Sequence, residues 1–305
     1  MKPYQQTIIN LSILLTIALC FGSTFLFTFL SLADFSPLVT GSGRILVASL
    51  CSIGFLYASG GKLPNTLELW IYSIIYGSFC LALPFMLIPF ALKTLTTGEV
   101  AIYLSSIPLF ILLLAKFILK EKISLKRWIG FFLGVSGLIF LIIRSNHSKI
   151  GITSDLLSAS FCIIASILLA IGAILIQKMP RCSPVSLTGA SLTVASIIVI
   201  PIFLLNFPED KPGSISLIGL LAVGIFSTFL GNTLRFTLIR RTSAVFTSIN
   251  GFIAPIIASI LGTVLLAEHM NLSIFLSYLI IVSGIFIAQD MDKYIYKWVL
   301  KNKNL

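Results

Sequence analysis

Ten runs of about twenty apolar residues follow one another along this chain, separated by connections of only a few residues. A run of that length crosses the ~30 Å hydrocarbon core of a bilayer as a helix, which bonds every backbone N–H and C=O within itself. The runs lie near 8–30, 36–59, 68–92, 97–119, 126–144, 154–177, 184–205, 214–238, 243–266 and 273–291. No stretch between them is long enough for a soluble core. Composition agrees, with 10% charged and 57% hydrophobic residues, where a soluble domain carries about 25% charged residues. The first run is longer than a signal-peptide core and has no small-x-small cleavage site, so it is expected to be a retained helix. The fold class predicted is an all-α polytopic membrane protein of ten transmembrane helices.

The formal charge of +11 raises nucleic-acid binding, but the bases sit between apolar runs as topogenic charges do, so no nucleic-acid partner is expected. With the N-terminus in the cytoplasm, sixteen Lys and Arg fall inside, among them Lys62, Lys120, Lys178, Arg235, Arg240 and Lys301. Four, Lys93, Arg144, Lys149 and Lys211, fall outside, and Arg44 stays within a span. Both termini are therefore expected on the cytoplasmic side. Cys20, Cys51, Cys80 and Cys162 lie in apolar runs and Cys182 in a short connection. They form no metal or disulfide pattern, and neither a metal nor a cofactor is expected.

A shift of 147 residues carries Pro37 onto Pro184, Gly77 onto Gly224, Lys93 onto Arg240, Pro108 onto Pro255, Glu121 onto Glu268 and Gly137 onto Gly284. The chain thus divides into a first unit, 1–147, and a second, 148–305. Each unit has five helices, an odd number, so the copies must lie in the membrane with opposite orientation. Two inverted five-helix repeats with a substrate site near the midplane between them is the arrangement of many secondary transporters.

Phe21-Gly22-Ser23-Thr24-Phe25 in the first run, Pro37 with Arg44 in the second, and Ala91-Leu92-Lys93-Thr94 leading to Pro108-Leu109 carry a recognisable order. Lys120-Glu121-Lys122, Trp128-Ile129-Gly130 and Gly134-Val135-Ser136-Gly137 close the first unit. Ala254-Pro255, Ala267-Glu268 and Gly284 repeat it in the second. In this order and duplication the chain resembles the EamA family of the drug/metabolite transporter superfamily over nearly its whole length. The resemblance implies a multi-pass protein of the bacterial inner membrane that moves a small metabolite, an amino acid or related compound, outward by alternating access.

Several polar or helix-breaking residues within the runs are candidates for that work. Pro108 and Pro255 each remove a backbone hydrogen bond near the middle of a helix, so paired kinks that shape two gates are expected. Arg44, about 12 Å into its helix, is costly there unless it faces a cavity or a partner, and it could draw a carboxylate or phosphate. Glu99 reads as the third residue of a capping box on Thr96, and Glu121 and Glu268 as partners of the neighbouring bases Lys120, Lys122 or His269. Ser23, Thr24, Tyr76, Tyr103, Asn232 and Asn250 are the remaining substrate-binding candidates, with Ser105 and Arg235 also polar within the runs. A cavity joining both tyrosines and both asparagines near Arg44 is expected. Gly130 to Gly134 suits close helix packing or a homodimer.

No phosphate-binding Gly-x4-Gly-Lys-Ser/Thr loop occurs, which excludes ATP hydrolysis of that kind. A membrane-embedded enzyme would need His, Asp or Glu clustered at depth, and the two histidines, His147 and His269, both lie in connections. The leading expectation is a carrier and not an enzyme, whose partners are a small-molecule substrate and the lipid bilayer. A facilitative channel or a membrane enzyme is the alternative.

Overall fold

A computed structural model describes residues 3–118, 120, 123–144, 152–268 and 272–289. Ten helical passes result. They are α1 (Pro3–Gly22 continued by Thr24–Ser31), α2 (Pro37–Ala58), α3 (Leu67–Ala91), α4 (Thr97–Ile118) and α5 (Leu125–Arg144), followed by α6 (Ile152–Lys178), α7 (Pro184–Asn206), α8 (Ser214–Arg241), α9 (Ala244–Leu266) and α10 (Leu272–Ala288). Among the described residues, nine passes are long and apolar enough to cross a membrane, and the tenth has 17 residues. The chain is a multi-pass membrane protein. Glu121, His147, His269 and the C-terminal bases from Lys293 onward lie outside the described residues.

The sequence starts its helices where the caps stand. Ser36 accepts from the Val39 N–H with Pro37 at the first helical position, and Thr66 caps α3 in the same way. Thr96 and Glu99 form the full capping box on α4, as expected. Large apolar side chains such as Leu15, Phe117, Leu205 and Val264 face outward, toward the place of lipid, while Thr28, Thr40, Ser166 and Thr188 are buried.

Contacts between passes exchange under the repeat. α2 packs on α7 and α5 on α10; α3 meets α7 as α2 meets α8; α3 and α4 meet α6 as α8 and α9 meet α1. Gly77 lies against the Ser191 carbonyl and Val194, and Gly224 against the Arg44 carbonyl and Val47. Each member of one set is the 147-residue image of a member of the other. The same holds for the backbone. α3 and α8 each carry a π-helical stretch, Tyr76–Ala82 and Val223–Leu230, whose starts are 147 residues apart. The two non-glycine residues with positive φ among the described residues, Lys120 (55°) and Ala267 (54°), stand at the same offset. Images 147 residues apart are separated by an odd number of passes and run in opposite directions.

Gly130, Gly134 and Gly137 are taken up inside the molecule. Gly134 meets Gly284, Gly130 meets the Gly284 carbonyl and Ala288, and Gly137 meets Ile281. The small-residue face of α5 is thus covered by α10.

Three passes are interrupted. α1 breaks at Ser23, where Gly22 closes on Ile257 and the Ala254 carbonyl of α9. α4 breaks at Ser105 and Ser106, directly before Pro108. α9 breaks at Ser248 and Ile249, upstream of Pro255, and tight turns bond Gly251 N to Ser248 O (2.9 Å) and Phe252 N to Ile249 O (2.9 Å). At Pro108 the missing N–H falls at the break itself, whereas Pro255 lies inside the helical stretch Asn250–Leu266, about one and a half turns after the α9 break.

Candidate functional site

The three interruptions converge on one cavity of about 110 Å³ between the two repeats. Pro108 of α4 packs on Gly251 of α9, where a Cβ would stand 3.1 Å from the proline Cγ. Thr24, Ser105, Thr247, Ser248 and Asn250 supply its neutral polar groups, and most of the remaining wall is apolar, including Phe21, Phe85, Ile107 and Leu169. A largely apolar wall with a few placed polar groups is the pattern of small-molecule sites.

Two arginines complete the lining, one from each repeat. Arg44 is fully buried (0% exposed). Its Nε donates to Thr228 Oγ1 (3.0 Å), its guanidinium lies 4.2 Å from the centre of the Phe85 ring, and its Nη1 has no partner. Thr228 sits in the π-helical stretch of α8 and donates its own proton to the Val223 carbonyl five residues back (2.8 Å). Arg235, also on α8, gives Nη2 to the Leu169 carbonyl (2.8 Å). Arg44 is the eighth residue of α2 and Arg235 precedes the end of α8 by six. Arg44 lies level with Gly224 at the α2–α8 crossing, so Arg235, further along α8, stands about 16 Å deeper at 1.5 Å per residue, and the two long side chains span the space between.

The cavity is not centred. One end stops at Arg44, Phe85 and Ala101, several residues short of the face that carries the α1–α2, α3–α4, α7–α8 and α9–α10 connections. The other reaches Ile239 and Ala244 at the α8–α9 connection, on the face where the chain begins. Beyond the closed end, two carboxylates cross between repeats. Asp34 Oδ2 accepts from the Gly213 N–H (2.8 Å) and Ser216 Oγ (2.7 Å) at the start of α8. Ser216 first and the Gly213 N–H second hold the Asp34 carboxyl below the ordinary carboxylate range. Glu268 accepts from the Thr97 N–H (2.9 Å) and Thr97 Oγ1 (2.7 Å) at the start of α4. Both are placed at helix N-termini, where negative charge is favoured. Glu268 owes its position to Ala267, whose left-handed φ ends α9 and turns the Glu268 N–H onto the Gly262 carbonyl (3.1 Å).

The model of the EamA-like transporter family matches twice, over residues 8–143 and 156–288. The chain belongs to that family. Protein PecM of Dickeya dadantii is 26% identical over 277 residues, 89% of each chain. The uncharacterized inner membrane transporter YedA of Escherichia coli K12 is 24% identical over 298 residues, 96% of this chain and 94% of that one. A solved crystal structure superposes with a TM-score of 0.67 at 16% identity, covering 94% of this chain and 98% of that chain, a likeness of fold alone.

Within this family member, the sequence candidates divide into two groups. Thr24, Arg44, Asn250, Pro108 and Pro255 meet at the cavity. Ser23, Tyr76, Tyr103 and Asn232 are not among its lining residues. Ser23 returns its hydroxyl to Leu19 O (2.8 Å) and Cys20 O (3.2 Å) at the α1 break. Asn232 donates to Thr228 O one turn back (2.7 Å). Tyr76 is fully buried with its ring 5.1 Å from that of Phe236, and Tyr103 is buried just ahead of the α4 break. Pairing by repeat brings α3, α4, α8 and α9 together, yet π-helical turns in α3 and α8 set which residues face inward, and period alone does not show them. Arg235 is the cavity-lining residue that a count of topogenic charges places at the membrane face. Its signal is depth, since it lies within its span and not at the end. For Glu268 the partner is the start of α4, a contact across the repeats that no local pairing rule anticipates.

Proposed function

We propose that this protein is a secondary carrier that moves one small metabolite by alternating access, outward from the cytoplasm across a bacterial inner membrane. The observation that carries the reading is the off-centre cavity, bounded by the interrupted α1, α4 and α9 and shut off from one face by the Asp34 and Glu268 contacts. A channel needs a path through both faces; a carrier needs this arrangement and its mirror. The repeat supplies the mirror, because equivalent passes from the two units flank the cavity with opposite direction. The excess of bases on the side where the chain begins supports a cytoplasmic placement of that face and of both termini. The cavity then loads from the cytoplasm, which suits export, and Pro108 and Pro255 mark where α4 and α9 flex.

The test is counterflow. Purified protein is screened for thermal stabilisation by a metabolite panel, reconstituted into liposomes and preloaded with an unlabelled hit. Transient accumulation of external labelled hit above its equilibrium level is expected. Flux that preloading does not accelerate would make the protein a channel.

A further inference from the structure

We propose that the cargo of the carrier just described is a small organic anion, an apolar body bearing a carboxylate or phosphate monoester that is received by Arg44 and Arg235. The proposal rests on the carrier reading and narrows it. Among the described residues, two guanidinium groups line the cavity and no Asp or Glu does. Arg235 spends a donor on a main-chain carbonyl, as Arg127 does on Ala288 O and Arg240 on Pro180 O. Arg44 instead rests on one hydroxyl and one aromatic face, and its fully buried Nη1 is unpartnered. A buried cation so lightly served is destabilising unless an anion joins it.

The second repeat removes the structural explanation. The 147-residue image of Arg44 is Ser191. Ser191 meets Gly77 at the α3–α7 crossing in the way that Arg44 meets Gly224 at the α2–α8 crossing. The crossing is therefore built equally well without a guanidinium, and the charge at position 44 serves the cavity. The wall around it suits an apolar body, with Phe85, Phe21, Ile88 and Ile107, while the unpartnered Oδ1 of Asn250 can accept one hydrogen bond from the cargo. A guanidinium pairs carboxylate and phosphate with two parallel N–H donors. A cationic cargo would meet two positive charges and no negative one.

The test holds the body constant and changes the charge. Phenylacetate, phenyl phosphate, phenylacetamide and phenethylamine, and the corresponding isobutyl series, are titrated against the purified full-length protein by thermal shift. At least one anion in a series should bind at least tenfold more tightly than its amide, with no binding of the amine, and the carboxylate and phosphate arms tell the two anions apart. Arg44→Gln should remove the preference for the anion, and Arg44→Lys should restore part of it. If Arg44→Gln does not fold, the wild-type charge series and Arg235→Gln carry the test. An amide or amine that binds as tightly as its anion, or no anion binding up to millimolar concentration, overturns the proposal. A neutral compound that shows counterflow leaves the carrier standing and removes the anion; an anion that binds without counterflow does the reverse.

Discussion

Thr228 holds its hydroxyl between two groups, donating to the Val223 carbonyl and accepting from Arg44 Nε. It does not line the cavity, so it acts on cargo only by orienting Arg44. A hydrogen bond to a charged group contributes ~1.5–3 kcal/mol, roughly ten- to a hundredfold in an equilibrium constant. Thr228→Val keeps the shape and deletes the bond. The expected outcome is an apparent affinity for cargo weakened about tenfold, with maximal rate changed far less, and recovery in Thr228→Ser. Transport kinetics in proteoliposomes at matched reconstitution measure the split. Equal losses in KM and rate, accompanied by a lower Tm, would mean that the threonine only stabilises α8. Of this arrangement the sequence discloses Arg44, through the cost of a charge inside an apolar run. It does not disclose Thr228, because a threonine in a membrane helix ordinarily returns its hydroxyl to its own backbone, and only the three-dimensional crossing shows what else that oxygen does.

At the scale of elements, the crossings of α2 with α8 and α3 with α7 depend on the absence of one side chain each. A Cβ on Gly224 would lie 2.6 Å from Val47 Cβ and 3.2 Å from the Arg44 carbonyl, and one on Gly77 would meet the Ser191 carbonyl and Val194. Backbone cannot yield as a flexible side chain does, and overpacking of this kind costs about 1–3 kcal/mol. Gly224→Ala and Gly77→Ala should each lower the unfolding midpoint in detergent, while Gly54→Ala, which has open space within 4 Å, should leave it unchanged or raise it. A neutral Gly224→Ala would show that the helices move apart freely. Element order, the Thr96 capping box and the repeat were legible, because apolar length, a Thr-x-x-Glu pattern and the spaced prolines each leave a mark in the residues, while the Ser36 and Thr66 caps are not read from the sequence. The π-helical stretches were not legible. Tyr76–Ala82 and Val223–Leu230 share only Gly77 with Gly224 and Phe79 with Phe226, residues that mark no π-helix by themselves. An extra residue per turn rotates everything after it, so Asn232, which follows the stretch in α8, falls outside a wall that helical period would have given it, while Tyr76, which opens the stretch in α3, is taken up by the Phe236 ring.

For the whole molecule, the two faces are closed by different means, and the difference is written in the repeat. Asp34 reaches from the first repeat to α8 and Glu268 from the second to α4. The image of Asp34 is Arg181, which cannot accept from an N–H, and α3, the image of α8, is capped by its own Thr66. Among the described residues, which do not include Glu121, the image of Glu268, the cross-repeat carboxylates stand on one face, and the cavity extends toward the other. The Asp34 carboxyl lies below the ordinary carboxylate range. Its contact is therefore fully present above that range and is lost as pH falls through the lowered value. Asp34→Ala should abolish that part of the acid dependence of thermal stability. The same loss should open the closed face. In a background without native cysteines, Ser105→Cys should be slow to react with a membrane-impermeant maleimide added from the Asp34 side. Adding Asp34→Ala and Glu268→Ala should speed that labelling several-fold, since nothing else described ties the starts of α4 and α8 to the opposite repeat by a carboxylate. Unchanged labelling with unchanged counterflow would reduce both carboxylates to helix caps and leave the α4–α9 packing, through Gly98 and Ser259, as the barrier on that side.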